Sequence, residues 1–210
     1  MVTMPSRNVL KVDVPENYYH IYARGNSRGK VFPEAEDYAY FVELLKRYLS
    51  AEEVHDPYGG SYPNFYNKIE LIAYCLMPNH FHLFVYQHQQ GAMSALMRSL
   101  MTSYSRYFNK KYQRSGPLFE SRYKASMISD DAYLQHITRY IHLNPRQWRS
   151  HEWSSLQYFL QQQSETWIRP KRIISMFNSS DEYLQFIEDY TSHKQMLDIL
   201  KHELANNFDV

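Results

Sequence analysis

His80 and His82 are separated by one apolar residue, Phe81. On a β-strand, residues i and i+2 project from the same face. The two imidazoles would then lie side by side while Phe81 turns into the core. Two neutral imidazoles can bind one divalent cation, and a catalytic centre needs a third ligand and open positions besides. Octahedral Mg²⁺ or Mn²⁺ would keep water or phosphate oxygens there, and Mn²⁺ suits imidazole better because Mg²⁺ prefers an all-oxygen shell. His-x-His pairs are common by chance. This one gains weight from its place at the start of a strand, just after Pro78-Asn79, where a ligand could reach it.

Tyr140 and Asn144 form a second pair, four residues apart and just before Pro145. On a helix that spacing puts a phenol and a carboxamide on one face, where both could approach a single metal site. The residues alone leave a plainer reading open. Tyr133, Ile137 and Tyr140 make a helical stripe of the kind that fills cores, and an Asn before Pro is an ordinary helix stop. The chain has 20 tyrosines, so composition selects no nucleophile.

The elements that must position these residues follow from periodicity. Tyr18–Ala23 is rich in β-formers and predicts a strand, broken by the turn Arg24-Gly25-Asn26-Ser27-Arg28-Gly29. Pro33 opens a predicted helix with acids in its first turn and Tyr38, Phe41, Leu44, Leu45 and Tyr48 at helical spacing. Residues 51–66 read as a polar loop. Leu71–Met77 and His82–Tyr86 read as two antiparallel strands, and Met93–Tyr112 as a long helix stopped by Ser115-Gly116-Pro117. Phe119–Met127 reads as a fourth strand. Ser129-Asp130-Asp131 caps a helix from Tyr133 to Leu143. The order β-α-β-β-α-β-α is that of an α+β ferredoxin-like sandwich with an antiparallel sheet and an added helix. Residues 1–147 would form this domain. Residues 148–210, with Trp148, Trp153, Trp167 and two expected helices, would form a C-terminal helical appendage.

Bulk properties restrict the function. The 210 residues suffice for one full core plus an appendage, and 44% hydrophobic with 21% charged residues describes a globular chain. One cysteine, Cys75, excludes an internal disulfide and a multi-cysteine zinc site. No apolar run reaches membrane-spanning length and no signal-peptide pattern opens the chain, so a cytoplasmic protein without membrane contact is expected. The net charge of +1 hides an asymmetry. Arg98, Arg106, Lys110, Lys111, Arg114, Arg122 and Lys124 face the single acid Glu120. From Asp181 to the end, Asp181, Glu182, Glu188, Asp189, Asp198, Glu203 and Asp209 outnumber Lys194 and Lys201. A basic centre suits phosphate contacts, and equally a solvated helix face.

Three ordered blocks resemble a known family: Met77-Pro78-Asn79-His80-Phe81-His82-Leu83, Arg114-Ser115-Gly116-Pro117-Leu118-Phe119-Glu120-Ser121-Arg122-Tyr123-Lys124, and Tyr140-Ile141-His142-Leu143-Asn144-Pro145. With Tyr19-His20-Ile21-Tyr22-Ala23-Arg24-Gly25-Asn26 they are similar to the single-tyrosine HUH transposases, and most of all to the REP-associated tyrosine transposases (RAYTs). The resemblance runs over roughly residues 15–148. It implies a metal-dependent endonuclease and strand transferase that cleaves and rejoins single-stranded, hairpin-forming repeat DNA through a 5′-phosphotyrosine. It places the nucleophile at Tyr140, the Mg²⁺ or Mn²⁺ ligands at His80 and His82, and a third ligand at Asn144, where relatives often carry glutamine. Tyr104 is the fallback nucleophile. Arg106, Lys110, Lys111, Arg114, Arg122 and Lys124 would meet phosphates, with Arg24 and Arg28 helping at the turn. A monomer is favoured over the homodimer of insertion-sequence relatives.

Two other functions are weighed against this. A domesticated relative could hold DNA hairpins without cutting, although both histidines and Tyr140 are present. A two-histidine phosphoesterase would need two His-x-Ser/Thr motifs, and the chain offers only His136-Ile137-Thr138.

Overall fold

The computed structural model describes residues 13–128, 131–160 and 165–189. The expected cap residues Ser129 and Asp130 and the charged tail beyond Asp189 lie outside them. Alternation organises the first strand, β1 (Asn17–Arg24): Tyr19, Ile21 and Ala23 enter one apolar layer, while Tyr18, His20 and Tyr22 face the other side. Helix α1 (Ala35–Leu49) begins two residues after Pro33. The delay comes from a capping box in which the side chains of Glu34 and Asp37 satisfy each other's backbone N–H groups. Strands β2 (Ile69–Met77) and β3 (His80–Gln87) follow, then α2 (Ala92–Lys111), β4 (Lys124–Ile128) and α3 (Asp131–His142).

The strands form one sheet in the order β2-β3-β1-β4, and every neighbouring pair is antiparallel. This is the expected ferredoxin-like arrangement. Helices α1 and α2 cover one face through Phe41, Leu44, Leu45, Leu96, Leu100 and Tyr104, packed on Ile21, Phe81, Leu83 and Val85. Helix α3 covers the other, placing Leu134, Ile137 and Ile141 in a cluster with Ile72, Ala73, Cys75 and Phe84. An irregularity between Leu71 and Ala73 makes this two-sided packing possible. Leu71 belongs to the α1/α2 layer and Ala73 to the α3 layer, so the extra residue switches the faces of β2 and brings Cys75 opposite His82.

The fourth strand is shorter than Phe119–Met127. Leu118 and Phe119 are apolar because they plug the α1/α2 core from a loop, with the Phe119 ring edge-on to Phe81, and Phe119 makes only an isolated bridge to Gly25.

Beyond α3 the chain returns to the sheet. Trp153–Ser155 runs along the outer edge of β2, where Leu76 N–H donates to the Trp153 carbonyl and Ser155 N–H to Tyr74, each at 2.9 Å. Arg169 N–H donates to Leu71 further along, so this edge is paired rather than exposed. The short helices α4 (Leu156–Leu160) and α5 (Lys171–Ile174) and the longer α6 (Ser180–Glu188) supply Phe159, Ile173, Tyr183 and Ile187 to the α3-side core. Among the described residues, no helix is long and apolar enough to cross a membrane.

Glu70 fastens this return segment. Its carboxylate accepts from Arg172 Nε at 2.7 Å and His88 Nε2 at 2.9 Å, with an Arg169 nitrogen at 3.6 Å. Burial pushes the carboxyl pKa up, but Arg172 and His88 together outweigh it and hold the group below its ordinary value. A depressed folded pKa stabilises above the unfolded value, and that stability is lost as pH falls through the folded one. Glu70→Gln is therefore expected to destabilise the protein at pH 7 by about 1–2 kcal/mol, allowing for partial exposure. Thermal melts should show a Tm lower by roughly 2–8 °C. The gap between variant and wild type should close as pH falls through the lowered pKa of the folded protein, where the wild-type carboxyl becomes protonated.

Candidate metal and nucleophile site

The register of β1 against β3 sets Tyr22 opposite His82 and Arg24 opposite His80. With His20 two residues earlier, four ring side chains and a guanidinium share the face that α3 covers. His80 stands at the start of β3 directly after the Pro78-Asn79 turn. That turn is locked to the end of β1 by Gly25 N–H donating to the Asn79 carbonyl at 2.8 Å. Only glycine fits at position 25, since a Cβ there would overlap the Gly29 carbonyl oxygen within the adjoining turn.

The hydrogen bonds fix what the ring nitrogens can do. Asn79 Nδ2 donates to the Arg28 carbonyl at 3.3 Å, which turns its Oδ1 toward His80 Nδ1 at 2.7 Å. A carboxamide oxygen only accepts, so His80 carries its hydrogen on Nδ1 and its Nε2 is a lone pair. That lone pair faces Asn144 Oδ1 at 3.2 Å, and Asn144 Nδ2 lies 3.4 Å from His82 Nε2. Both imidazoles thus aim Nε2 at one carboxamide. A neutral His80 leaves no hydrogen between its Nε2 and Asn144 Oδ1, and two facing acceptors are a poor contact unless a cation joins them.

Burial keeps these rings neutral. It lowers the His80 pKa to about 4, with Arg24 lowering it further and Asn144 opposing. It lowers His82 well below the ordinary value, with help from His20, His80 and Arg24, and lowers His20 to about 3. At neutral pH no proton has to be displaced before these nitrogens ligate. The donor set fits a divalent ion of the Mn²⁺ type: His80 Nε2, His82 Nε2 and Asn144 Oδ1. Among the described residues, no further His, Cys, Asp or Glu completes a cluster of three. His20 meets His82 through the other ring nitrogen and so is not a third ligand.

Helix α3 brings the phenol. Leu134, Ile137 and Ile141 face the core, leaving Tyr140 and Asn144 on the flank toward the histidines. The Tyr140 ring packs edge-on against His82, with centroids 5.5 Å apart at 85°, and against His20 at 6.0 Å and 89°. Burial raises the Tyr140 pKa, and so does neighbouring Tyr22, while Arg24 and Asn144 lower it. The phenol is therefore neutral at pH 7 and needs positive charge to become a nucleophile. Tyr104 lies on the opposite side of the sheet, fully buried, with its hydroxyl donating to the Val31 carbonyl.

The expected phosphate contacts separate. Arg24 and Lys124 lie on the site face of the sheet, on β1 and β4, in register through Tyr22 and His80. Arg28 is exposed in the adjoining turn with a left-handed φ of 57°. Arg122 is exposed in the loop before β4, and Arg114 donates to the Pro117 carbonyl at 3.2 Å. Arg106 and Lys110 are exposed on α2, which covers the far face. Lys111 is held by Glu34, Glu36 and Asp37 at 2.9, 3.0 and 3.0 Å, so its charge is engaged inside the α1/α2 layer. His20, Tyr22 and Asn79 were not singled out from sequence as site residues. Alternation on β1 put His20 and Tyr22 on one face, but only the register shows which partner strand they meet.

Residues 65–144 match the family model described as "Transposase IS200 like". Over those residues the chain is similar to the IS200-like transposases. The matched stretch runs from the approach to β2 through Asn144, so it contains His80, His82 and Tyr140 as well. Among solved structures, the chain is similar to a REP-associated tyrosine transposase bound to a REP hairpin, with 15% identity, 69% of this chain and 73% of that chain covered, and a TM-score of 0.45. It is also similar to a protein from Deinococcus radiodurans provisionally assigned as a transposase, with 17% identity, coverage of 66% and 95%, and a TM-score of 0.37. No curated protein matches the sequence.

Proposed function

We propose that this protein is an IS200-like transposase, a metal-dependent enzyme that cleaves and rejoins single-stranded, hairpin-forming DNA through a 5′-phosphotyrosine on Tyr140. The observation that carries the reading is the convergence of a phenol, a carboxamide and two imidazoles. Tyr140 comes from α3, Asn144 from the turn that follows it, and His80 and His82 from β3, and Asn144 is within 3.4 Å of both rings. A Mg²⁺ or Mn²⁺ ion held by His80, His82 and Asn144 would polarise the scissile phosphate and offset charge on its oxygens.

The chain's own residues do the rest. Tyr140 attacks phosphorus as its phenol loses a proton, the new O–P bond forms, and the bond to the 3′ oxygen breaks to leave a 3′-hydroxyl. A second 3′-hydroxyl can reverse the step, since the phosphotyrosine conserves the bond energy. Arg24 sits beside both the metal pair and the phenol, where it favours phenolate and meets the phosphate. Lys124 on the neighbouring strand extends the positive track.

A monomer acting with its own tyrosine is supported by the anchoring of α3. Arg139 donates to the Phe186 carbonyl at 2.9 Å, and His142 contacts Tyr183 and Ser155 at 2.7 and 2.8 Å. The test is incubation of a labelled hairpin-bearing oligonucleotide with the protein and Mn²⁺. An SDS-stable protein–DNA adduct supports the reading. Hairpin binding with no cleavage under any divalent ion would instead favour a non-catalytic hairpin binder. Arg24→Gln is expected to slow adduct formation about 100-fold, as loss of a charge at the reacting phosphate does. The slope of log affinity against log salt should also fall by about one contact.

A further inference from the structure

His20 is almost fully buried, and its Nε2 lies 2.8 Å from His82 Nδ1 with the two rings within 10° of parallel. One of the two nitrogens must carry the shared hydrogen. If His20 donates, His82 accepts on Nδ1 and its own hydrogen is left on Nε2, which blocks ligation there. If His82 donates, its Nε2 is a lone pair aimed at the Asn144 carboxamide. The second arrangement matches what Asn79 imposes on His80 from the other side. It leaves His20 with a hydrogen on Nδ1, an atom that has no hydrogen-bond partner among the described residues. An imidazole is retained in a dry position where half of its hydrogen-bonding capacity is unused, and the half that is used meets a candidate metal ligand.

We propose that His20 is a positioning residue for the metal centre. By accepting the Nδ1 hydrogen of His82 it holds that ring in the tautomer and orientation that present Nε2 to the ion. The role is that of the outer partners that orient metal-bound histidines. It rests on the metal-dependent reading of the site.

The test compares Mn²⁺ binding, by calorimetry or by loss of the free-ion EPR signal, across the wild type, His20→Gln and His20→Phe. Glutamine keeps an acceptor near the Nε2 position, whereas phenylalanine keeps the ring without one. His20→Phe is expected to weaken Mn²⁺ binding about 10–100-fold, and His20→Gln to restore it to within a few-fold of wild type. Long-range ¹H–¹⁵N spectra of the metal-free wild type should show His82 protonated on Nδ1. This measurement decides the matter even if the variants fail to fold. Wild-type affinity in folded His20→Phe, or His82 protonated on Nε2 in the metal-free protein, overturns the role of His20 while leaving the metal site intact. A wild type that binds no Mn²⁺ overturns the metal reading itself, and this role with it.

Discussion

Tyr140→Phe is expected to abolish covalent adduct formation, lowering cleavage by on the order of 10⁴-fold or more, while hairpin affinity stays within about twofold. The substitution removes one oxygen. The ring contacts with His82 and His20 survive, because they are edge-on packing that phenylalanine reproduces. Folding and metal binding should therefore be retained, and a Tm within about 2 °C of wild type would show it. Tyr22 gives the experiment its sharpest alternative. Its ring lies 5.1 Å from His82 and 5.6 Å from His80, with the Arg24 guanidinium 5.4 Å from its centroid. Peptide mapping of the adduct separates the two phenols. DNA attached to Tyr22, or an undiminished adduct in Tyr140→Phe, would sink the assignment. Tyr104 cannot take over, since its hydroxyl is buried across the sheet and bonded to a backbone carbonyl.

Local spacing made half of the site legible. The i, i+2 relation of His80 and His82 survives any tertiary arrangement, provided that the segment is a strand. Tyr140 and Asn144 reach the same side because four residues make about one helical turn and the chain keeps that course two residues past the end of α3. What spacing could not reveal is how strands pair. His20 reads as one more ring in a tyrosine-rich strand until the β1–β3 register brings it to His82. The neighbouring β2–β3 register in turn carries a bulge at Leu71–Ala73 which leaves no mark in a continuous apolar run. Asn79 was visible only as part of a break, although its amide dictates the His80 tautomer.

The basic stretch divides in the fold. Lys111 sat in a basic stretch and was expected to face phosphate, yet acids from the start of α1 capture it. A run of like charges in sequence says nothing about which distant carboxylates the fold will deliver. Arg24 and Lys124 belong to separate elements and look unremarkable alone, but β1 and β4 put them on one face. The same nonlocality explains Phe119, whose apolar character reports core packing and not strand membership.

Replacing either histidine by alanine should remove Mn²⁺-dependent cleavage, by about 10³-fold or more, but the two variants should differ in stability. His82 is almost fully buried and holds His20 through its Nδ1. His82→Ala opens a cavity and strands a second nitrogen of His20, a loss of about 2–4 kcal/mol. At this chain length that lowers Tm by roughly 5–15 °C. His80 is only partly buried, at the mouth of the turn, and its Nδ1 partner Asn79 keeps its own bond to the Arg28 carbonyl. His80→Ala should change stability by no more than about 1 kcal/mol. It is thus the cleaner probe: lost metal binding and cleavage in a protein that melts like wild type cannot be blamed on unfolding. If His80→Ala keeps wild-type Mn²⁺ affinity and cleavage, the two imidazoles do not share an ion. The facing acceptors at Asn144 would then have to be relieved by rotation of its amide, with Nδ2 donating to His80 and Oδ1 accepting from His82.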